Sequence, residues 1–307
     1  MIPLKPGLLA LALAATSLAT LAADKPAAQH SRSMADILAA SKPADWRPLD
    51  PDNTLYLQLP SGRVVIELAP GFAPLHAANI KTLVREKYFD GLDVLRAQDN
   101  YVVQWGDPEE DEAKAKSLGT AQTKLASEFT VPVSAATPFS PLADKDGYAP
   151  RVGFSNGFPA ARDAKGKQTW LTHCYGAVGV ARGNEADSGN GSGLYVIIGH
   201  APRHLDRNIA VVGRVVQGIE QLSSMPRGTG PLGFYEKPEQ RAAIATVRLA
   251  ADVPVAERSK LEVLRTDSAT FAAVADARRN RHDDWYVAPA GHIELCNVPI
   301  PVRPVKN

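Results

Sequence analysis

Hydrophobic and polar positions alternate along much of this chain, and the period changes in ways that predict its elements. Thr54 to Leu59 and Arg63 to Leu68 alternate around Pro60-Ser61-Gly62, which predicts a β-hairpin with turn residues between its strands. From Ala77 to Tyr88 the apolar residues Ile80, Leu83, Val84 and Tyr88 recur at three- and four-residue steps. That stripe predicts a helix lying on a sheet. A β-rich run follows to Asp107, and strand patterns return at Gly176–Ala181, Leu194–Ile198, Ile209–Val215 and Ile244–Ala250. A short helix is expected over Ile219–Ser224. Many short strands with two helices predict a mainly β fold, a closed barrel plugged by helices, because closure removes exposed strand edges.

The flanks and one internal stretch read differently. Residues 24–50 are polar and rich in Ala and Pro, with a helical candidate at Met34–Ala40, and are read as an N-terminal arm or linker. Residues 109–170 begin with a charged run and continue rich in Pro, Gly and Asp. They are read as a long surface insertion into a domain spanning 51–252. The extension 253–307 is expected to carry one or two helices within Glu257–Arg278. Its end, Val298–Val305, is too rich in proline for a regular helix.

The N-terminus carries a targeting pattern. Lys5 is followed by the apolar run Leu8–Leu21, then by Ala22, Ala23 and a polar stretch from Asp24. The expectation is a signal peptide over 1–23, export, and a periplasmic location in a two-membrane bacterium; a retained N-terminal anchor is the alternative. The apolar run falls short of the roughly 20 residues of a membrane span, so no membrane insertion is expected after cleavage.

Composition narrows the function classes. Among 307 residues, Lys and Arg total 34 against 33 for Asp and Glu, which gives no electrostatic case for nucleic acid. Hydrophobic content of 45% suffices for a sizeable core. The two cysteines, Cys174 and Cys296, can pair in an oxidising compartment and tie the C-terminal extension to the main domain, or remain two buried thiols. His200, His204 and Asp206 suggest a metal site, but Pro202 breaks the helix that would align the two histidines. Ser192 lacks the nucleophile-elbow pattern, and Gly189 to Gly193 lacks the residues of a phosphate loop.

Two stretches carry the candidate chemistry. One reads Val94-Leu95-Arg96-Ala97-Gln98-Asp99-Asn100-Tyr101-Val102-Val103-Gln104-Trp105-Gly106-Asp107. The other runs from Asn190-Gly191-Ser192-Gly193-Leu194-Tyr195-Val196 to Leu205-Asp206-Arg207-Asn208-Ile209-Ala210-Val211-Val212-Gly213. In order and spacing they resemble the cyclophilins, prolyl cis–trans isomerases whose motifs read F-H-R-V-I-x-x-F-M-x-Q-G-G-D, N-G-S-Q-F-F-I and L-D-G-K-H-x-V-F-G. The resemblance covers about Thr54 to Ala250, and Ala73-Pro74 to Gly91 also fits the family's first helix and turn.

The resemblance implies an eight-stranded barrel and an isomerase without metal or cofactor. Arg96 takes the catalytic arginine's place and Gln104 that of the glutamine that binds the substrate backbone. Tyr101, Val102, Tyr195 and Leu205 take the positions of the proline pocket. Ile209 stands where many members carry a pocket histidine, and Ala181-Arg182 where an Ala-Asn pair grips the substrate. His204, Gly193 and Trp105 also depart from the family pattern. The expected partners are proline-containing unfolded or extended polypeptides, acted on by a monomer. A cyclophilin-fold binding module with little catalysis, and a general holdase, are the readings from other classes.

Overall fold

The computed structural model describes residues 32–109, 111, 113–281 and 285–305, so the expected signal peptide lies outside the described residues. The chain opens with α1 (Met34–Ala39), β1 (Trp46–Pro48), β2 (Thr54–Leu59), β3 (Gly62–Leu68) and α2 (Pro74–Arg85). Next come β4 (Asp93–Ala97) and β5 (Val102–Gly106). A second group follows: β6 (Val131–Pro132), β7 (Ser140–Pro141), β8 (Arg151–Ser155), β9 (Phe158–Arg162) and β10 (Gln168–Leu171). Then come β11 (Ala177–Val180), β12 (Leu194–Ile197), β13 (Val211–Gln217), α3 (Glu220–Ser223), β14 (Ala242–Ala243) and β15 (Thr246–Leu249). The chain closes with β16 (Leu261–Leu264), α4 (Ala269–Arg279) and β17 (Val302–Pro304).

The main sheet is antiparallel, in the order β14-β4-β5-β12-β11-β13-β3-β2-β15. It has nine strands where eight were expected, because one chain segment is divided into β14, which pairs with β4, and β15, which pairs with β2. The sheet curls: its edge strands β14 and β15 are separated in the chain by only Ile244 and Ala245, yet no ladder joins them among the described residues. The ninth strand is the two-residue β14, which pairs with β4. Side chains on the concave face, among them Leu57, Ile66, Val103, Trp105, Val196 and Val212, form the main core with Ile80 and Leu83 of α2. Helix α2 starts on Pro74, whose missing N–H is no loss in the first turn.

The reading of 109–170 as a surface loop is corrected. Its strands join with β10 in a five-stranded antiparallel sheet, β6-β10-β9-β8-β7, with two buried faces. Val152, Phe154, Ala161 and Trp170 face one way, into a core shared with Ile37 of α1, Trp46 of β1 and Phe271 and Val274 of α4. Phe158, Ala160 and Leu171 face the other way, onto the convex side of the main sheet beside Val102, Tyr195 and Val211. The period-two alternation is present, but each strand is short and set among prolines and glycines, which obscures it.

Two further expectations change for the same reason. Within 24–50, the described part is packed structure: β1 pairs with β16, and Ile37 is buried. Within Glu257–Arg278, residues Leu261–Leu264 form a strand between β1 and β17, and only Ala269 onward is helical. Leu261, Val263 and Leu264 are β-compatible and buried, and Ser268 caps α4 by accepting from the Phe271 N–H. A disulfide joins Cys174 to Cys296, tying the end of the chain to the loop after β10 (S–S 2.07 Å).

Candidate active site

The register of the main sheet sets a row of side chains across four strands. Arg96 of β4 is paired with Gln104 of β5, Gln104 with Tyr195 of β12, and Tyr195 with Gly179 of β11. Because Val103 and Trp105 point into the core, the pleat turns Gln104 outward. Directly opposed partners share a face, so Arg96 and Tyr195 stand beside it on the convex side.

Arg96 is held from several directions and, among the described residues, by no carboxylate. Its Nε donates to the Leu232 carbonyl (2.6 Å), Nη1 reaches Gln104 Oε1 (3.4 Å), and Nη2 donates to Gln98 Oε1. Its guanidinium lies 5.5 Å from the Tyr101 ring centroid and 5.4 Å from that of Phe234, sites for cation–π attraction. Half-burial with no anionic partner lowers its pKa, the cause being desolvation of the cation. Such an N–H is a strong hydrogen-bond donor on a rigid mount.

Tyr195 is buried, and its ring lies over Gly179. A Cβ at that glycine would come within 2.2 Å of the tyrosine Cζ, so the absent side chain makes the room. The hydroxyl then reaches His173 Nε2 (2.9 Å), and His173 Nδ1 reaches Asp206 Oδ1 (2.9 Å). Asp206 Oδ1 also accepts from the His173 backbone N–H, and Oδ2 accepts from Arg203 Nε (2.5 Å). Arg203 in turn donates to both carboxylate oxygens of Asp146, in the inserted segment. A carboxylate only accepts, so Nδ1 of His173 carries a proton, and Nε2 pairs with the Tyr195 hydroxyl. Burial pushes the Tyr195 hydroxyl far above its ordinary pKa, which keeps it a donor.

The other sequence-derived positions fall around this row unevenly. Val102, Tyr195, Tyr101 and Ile209 belong to one apolar cluster, which also takes in Phe158 and Leu171 of the inserted sheet. Leu205 is half-buried in the turn Arg203–Leu205, outside that cluster and fixed on both sides by Arg203 and Asp206. Ala181 follows β11 and donates its N–H to the Gly193 carbonyl (2.9 Å). Arg182 donates to the carbonyls of Asn208 (3.0 Å), Gly183 (2.7 Å) and Asn184 (3.2 Å), and lies 5.5 Å from the Phe129 ring centroid. His200 and His204 are exposed, and Asp206 is engaged by His173 and Arg203. Among the described residues no group of three or more His, Cys, Asp or Glu could hold a metal ion.

Gly179, His173, Gln98, Leu232 and Phe234 were not singled out by sequence reasoning. Gln98 acts on Arg96 two residues away, and the other four matter through contacts between segments separated in the chain, which no motif marks. An opening of about 640 Å³ adjoins the row and is lined by Gln104, Asp107, Lys116, Thr123, Asn190 and Ser192 among others. Here the start of the inserted segment roofs the loop before β12.

Comparison with known proteins agrees with this geometry. The chain is 29% identical over 181 residues to a probable peptidyl-prolyl cis-trans isomerase of Brucella suis, covering 59% of this chain and 74% of that protein. A protein of the same description from Brucella melitensis matches equally. Among solved structures, the cyclophilin AquaCyp293 from Hirschia baltica superposes with a TM-score of 0.64 at 24% identity, covering 90% of this chain and 99% of that one. That likeness extends the shared fold over most of the chain. The sequence model described as cyclophilin type peptidyl-prolyl cis-trans isomerase/CLD matches residues 54–249, nearly two-thirds of the chain. The chain is therefore a member of the cyclophilin-type peptidyl-prolyl cis-trans isomerase family.

Proposed function

We propose that Arg96, Gln104 and the cup formed by Tyr101, Val102, Tyr195 and Ile209, with Leu205 in the neighbouring turn, carry the isomerase activity. The observation that supports this most is the cross-strand row of Arg96, Gln104 and Tyr195 on one face of the sheet. Amide resonance sets a barrier of about 18–20 kcal/mol to rotation about an Xaa–Pro bond. A group that draws the prolyl nitrogen's lone pair out of conjugation lowers it. The Arg96 guanidinium is suited to that: it is planar, held by Leu232, Gln98 and Gln104, and made a stronger donor by partial burial. Gln104 orients the substrate backbone and the arginine, and Ala181-Arg182 line the groove beside the cup. The proline ring is held by apolar and aromatic side chains while the flanking chain turns. No proton is transferred and no bond is made or broken, so the reaction calls for no cofactor.

The test is isomerisation of a short Xaa-Pro peptide by the wild type beside Arg96→Ala. Loss of a preorganised donor is expected to lower kcat/KM by about 10²-fold. Wild-type turnover unchanged by the substitution would show that Arg96 is not the catalytic group. A folded but inactive wild type would favour the binding-module reading.

The N-terminal leader pattern extends the proposal to cell biology: a monomer, exported to the periplasm, that assists the folding of exported polypeptides. Intact mass of the protein from the periplasmic fraction should show a chain beginning at Asp24. A cytoplasmic chain retaining the leader would overturn the export reading.

A further inference from the structure

The cup is flanked by two guanidiniums, and neither is neutralised. Arg96 donates to a carbonyl and two side-chain amides, while Arg182 on the far side donates to three carbonyls. Among the described residues neither makes an ion pair with a carboxylate. Four acidic side chains of the surrounding segments are engaged elsewhere. Asp206 binds His173 and Arg203, Asp99 binds Arg227, Asp187 lies near Lys124, and Glu128 binds His76. Glu185, in the loop that Arg182 braces, is exposed and makes no ion pair with it. The two guanidiniums therefore stand as positive centres held by neutral acceptors, in a molecule whose formal charge is only +1.

Arg182 is also placed to read a substrate. It is partly exposed, its Nε bond to Asn208 sets it one residue from Ile209 of the cup, and the Phe129 ring stands beside it. Carbonyl bonds hold the guanidinium in place without cancelling its charge. An acidic side chain next to a bound proline would supply the missing counter-charge.

We propose that this groove selects Xaa–Pro bonds with a carboxylate side chain adjacent to the proline, and that Arg182 is the residue that reads it. The inference rests on the isomerase reading of the same site, and the test separates the two. Peptides of one length would carry Glu, Gln or Lys immediately before, or immediately after, a single proline. In wild type, kcat/KM for Glu should exceed that for Gln by about two- to five-fold in one of the two positions, as expected of a solvent-accessible ion pair. The Lys peptide should be slower than the Gln peptide, and 0.5 M salt, a test condition of roughly that strength, should shrink both differences. Arg182→Glu should invert the order to favour Lys, whereas Arg182→Lys should keep the wild-type order. A purely structural arginine, bracing the loop through its carbonyl bonds, would change all peptides alike. Equal rates for Glu, Gln and Lys, or an order unchanged in Arg182→Glu, would overturn the selectivity and leave the isomerase intact. No turnover of any peptide by folded wild type would overturn both.

Discussion

At the scale of single residues, the site depends on what a side chain leaves vacant as much as on what it supplies. Tyr195 can lie flat toward His173 only because Gly179 has no Cβ, and its hydroxyl is satisfied only because His173 is there to receive it. Gly179→Ala should push the ring off the sheet, lift the cup floor and cut kcat/KM at least about tenfold, since reacting groups tolerate little displacement. Parallel kinetics on wild type and variant check this; an unchanged rate would mean the ring is not part of the cup. Tyr195→Phe keeps the ring and strips the hydroxyl, leaving a buried His173 nitrogen without its partner. The expected result is a loss of about 1–3 kcal/mol in denaturant unfolding with only a small change in KM. Arg96 and Gln104 were legible in the sequence because the single stretch that carries both resembles the cyclophilin motif. His173 and Gly179 were not, because their role is a contact between strands and loops that no local spacing encodes.

At the scale of elements, the inserted segment braces the domain from which it departs. Glu128 accepts from the backbone N–H groups of Leu75 and His76, at the start of α2, and from His76 Nδ1 (2.6 Å). Burial alone would raise the Glu128 pKa, but these hydrogen bonds and the helix terminus hold it below the ordinary value. The Cys174–Cys296 bridge does a similar job at the other end, closing a separation of 122 residues beside His173. Cys296→Ser should lower stability by about 2–5 kcal/mol, the range expected for losing a native bridge. Thermal unfolding with and without reductant checks it: reductant should lower the wild-type midpoint and leave the variant's unchanged. A midpoint insensitive to both would assign the bridge no stabilising role.

At the scale of the whole molecule, the terminal segments and the inserted sheet form a second body against the convex side of the main sheet. Asp144, from the inserted segment, clamps it to α4: it accepts from Arg279 and from the Ile293 backbone N–H (3.1 Å). The Arg279 hydrogen bonds hold its carboxyl below the ordinary 3.8. A depressed carboxylate contributes stability that is fully present well above pH 3.8 and drains away as pH falls through that value toward the folded pKa. Wild type should therefore lose stability on acidification through this window, and Asp144→Asn should be less stable near neutrality but show a shallower acid slope. Unfolding midpoints measured from pH 6 down to pH 3, a range of about three units, test the sign. Identical slopes would remove the clamp from the account.

What the amino-acid sequence determined by itself was the part written in local pattern. The β2–β3 alternation and the stripe of α2 follow from short-range periodicity, and the resemblance to the family rests on the residue types and order of the motifs around Arg96–Gln104 and Asn190–Val196. The tertiary structure decided the rest. The short strands between Val131 and Leu171 acquire meaning only when they pair and are covered on both faces, and the stretch expected to be helical near Leu261 becomes a strand because β1 and β17 offer it edges. The same holds for charge: the composition is balanced, yet folding sends the neighbouring carboxylates to other partners and leaves Arg96 and Arg182 uncompensated at the groove. Periodicity is a property of neighbours along the chain, whereas edge pairing, burial of a second face and charge compensation depend on neighbours in space.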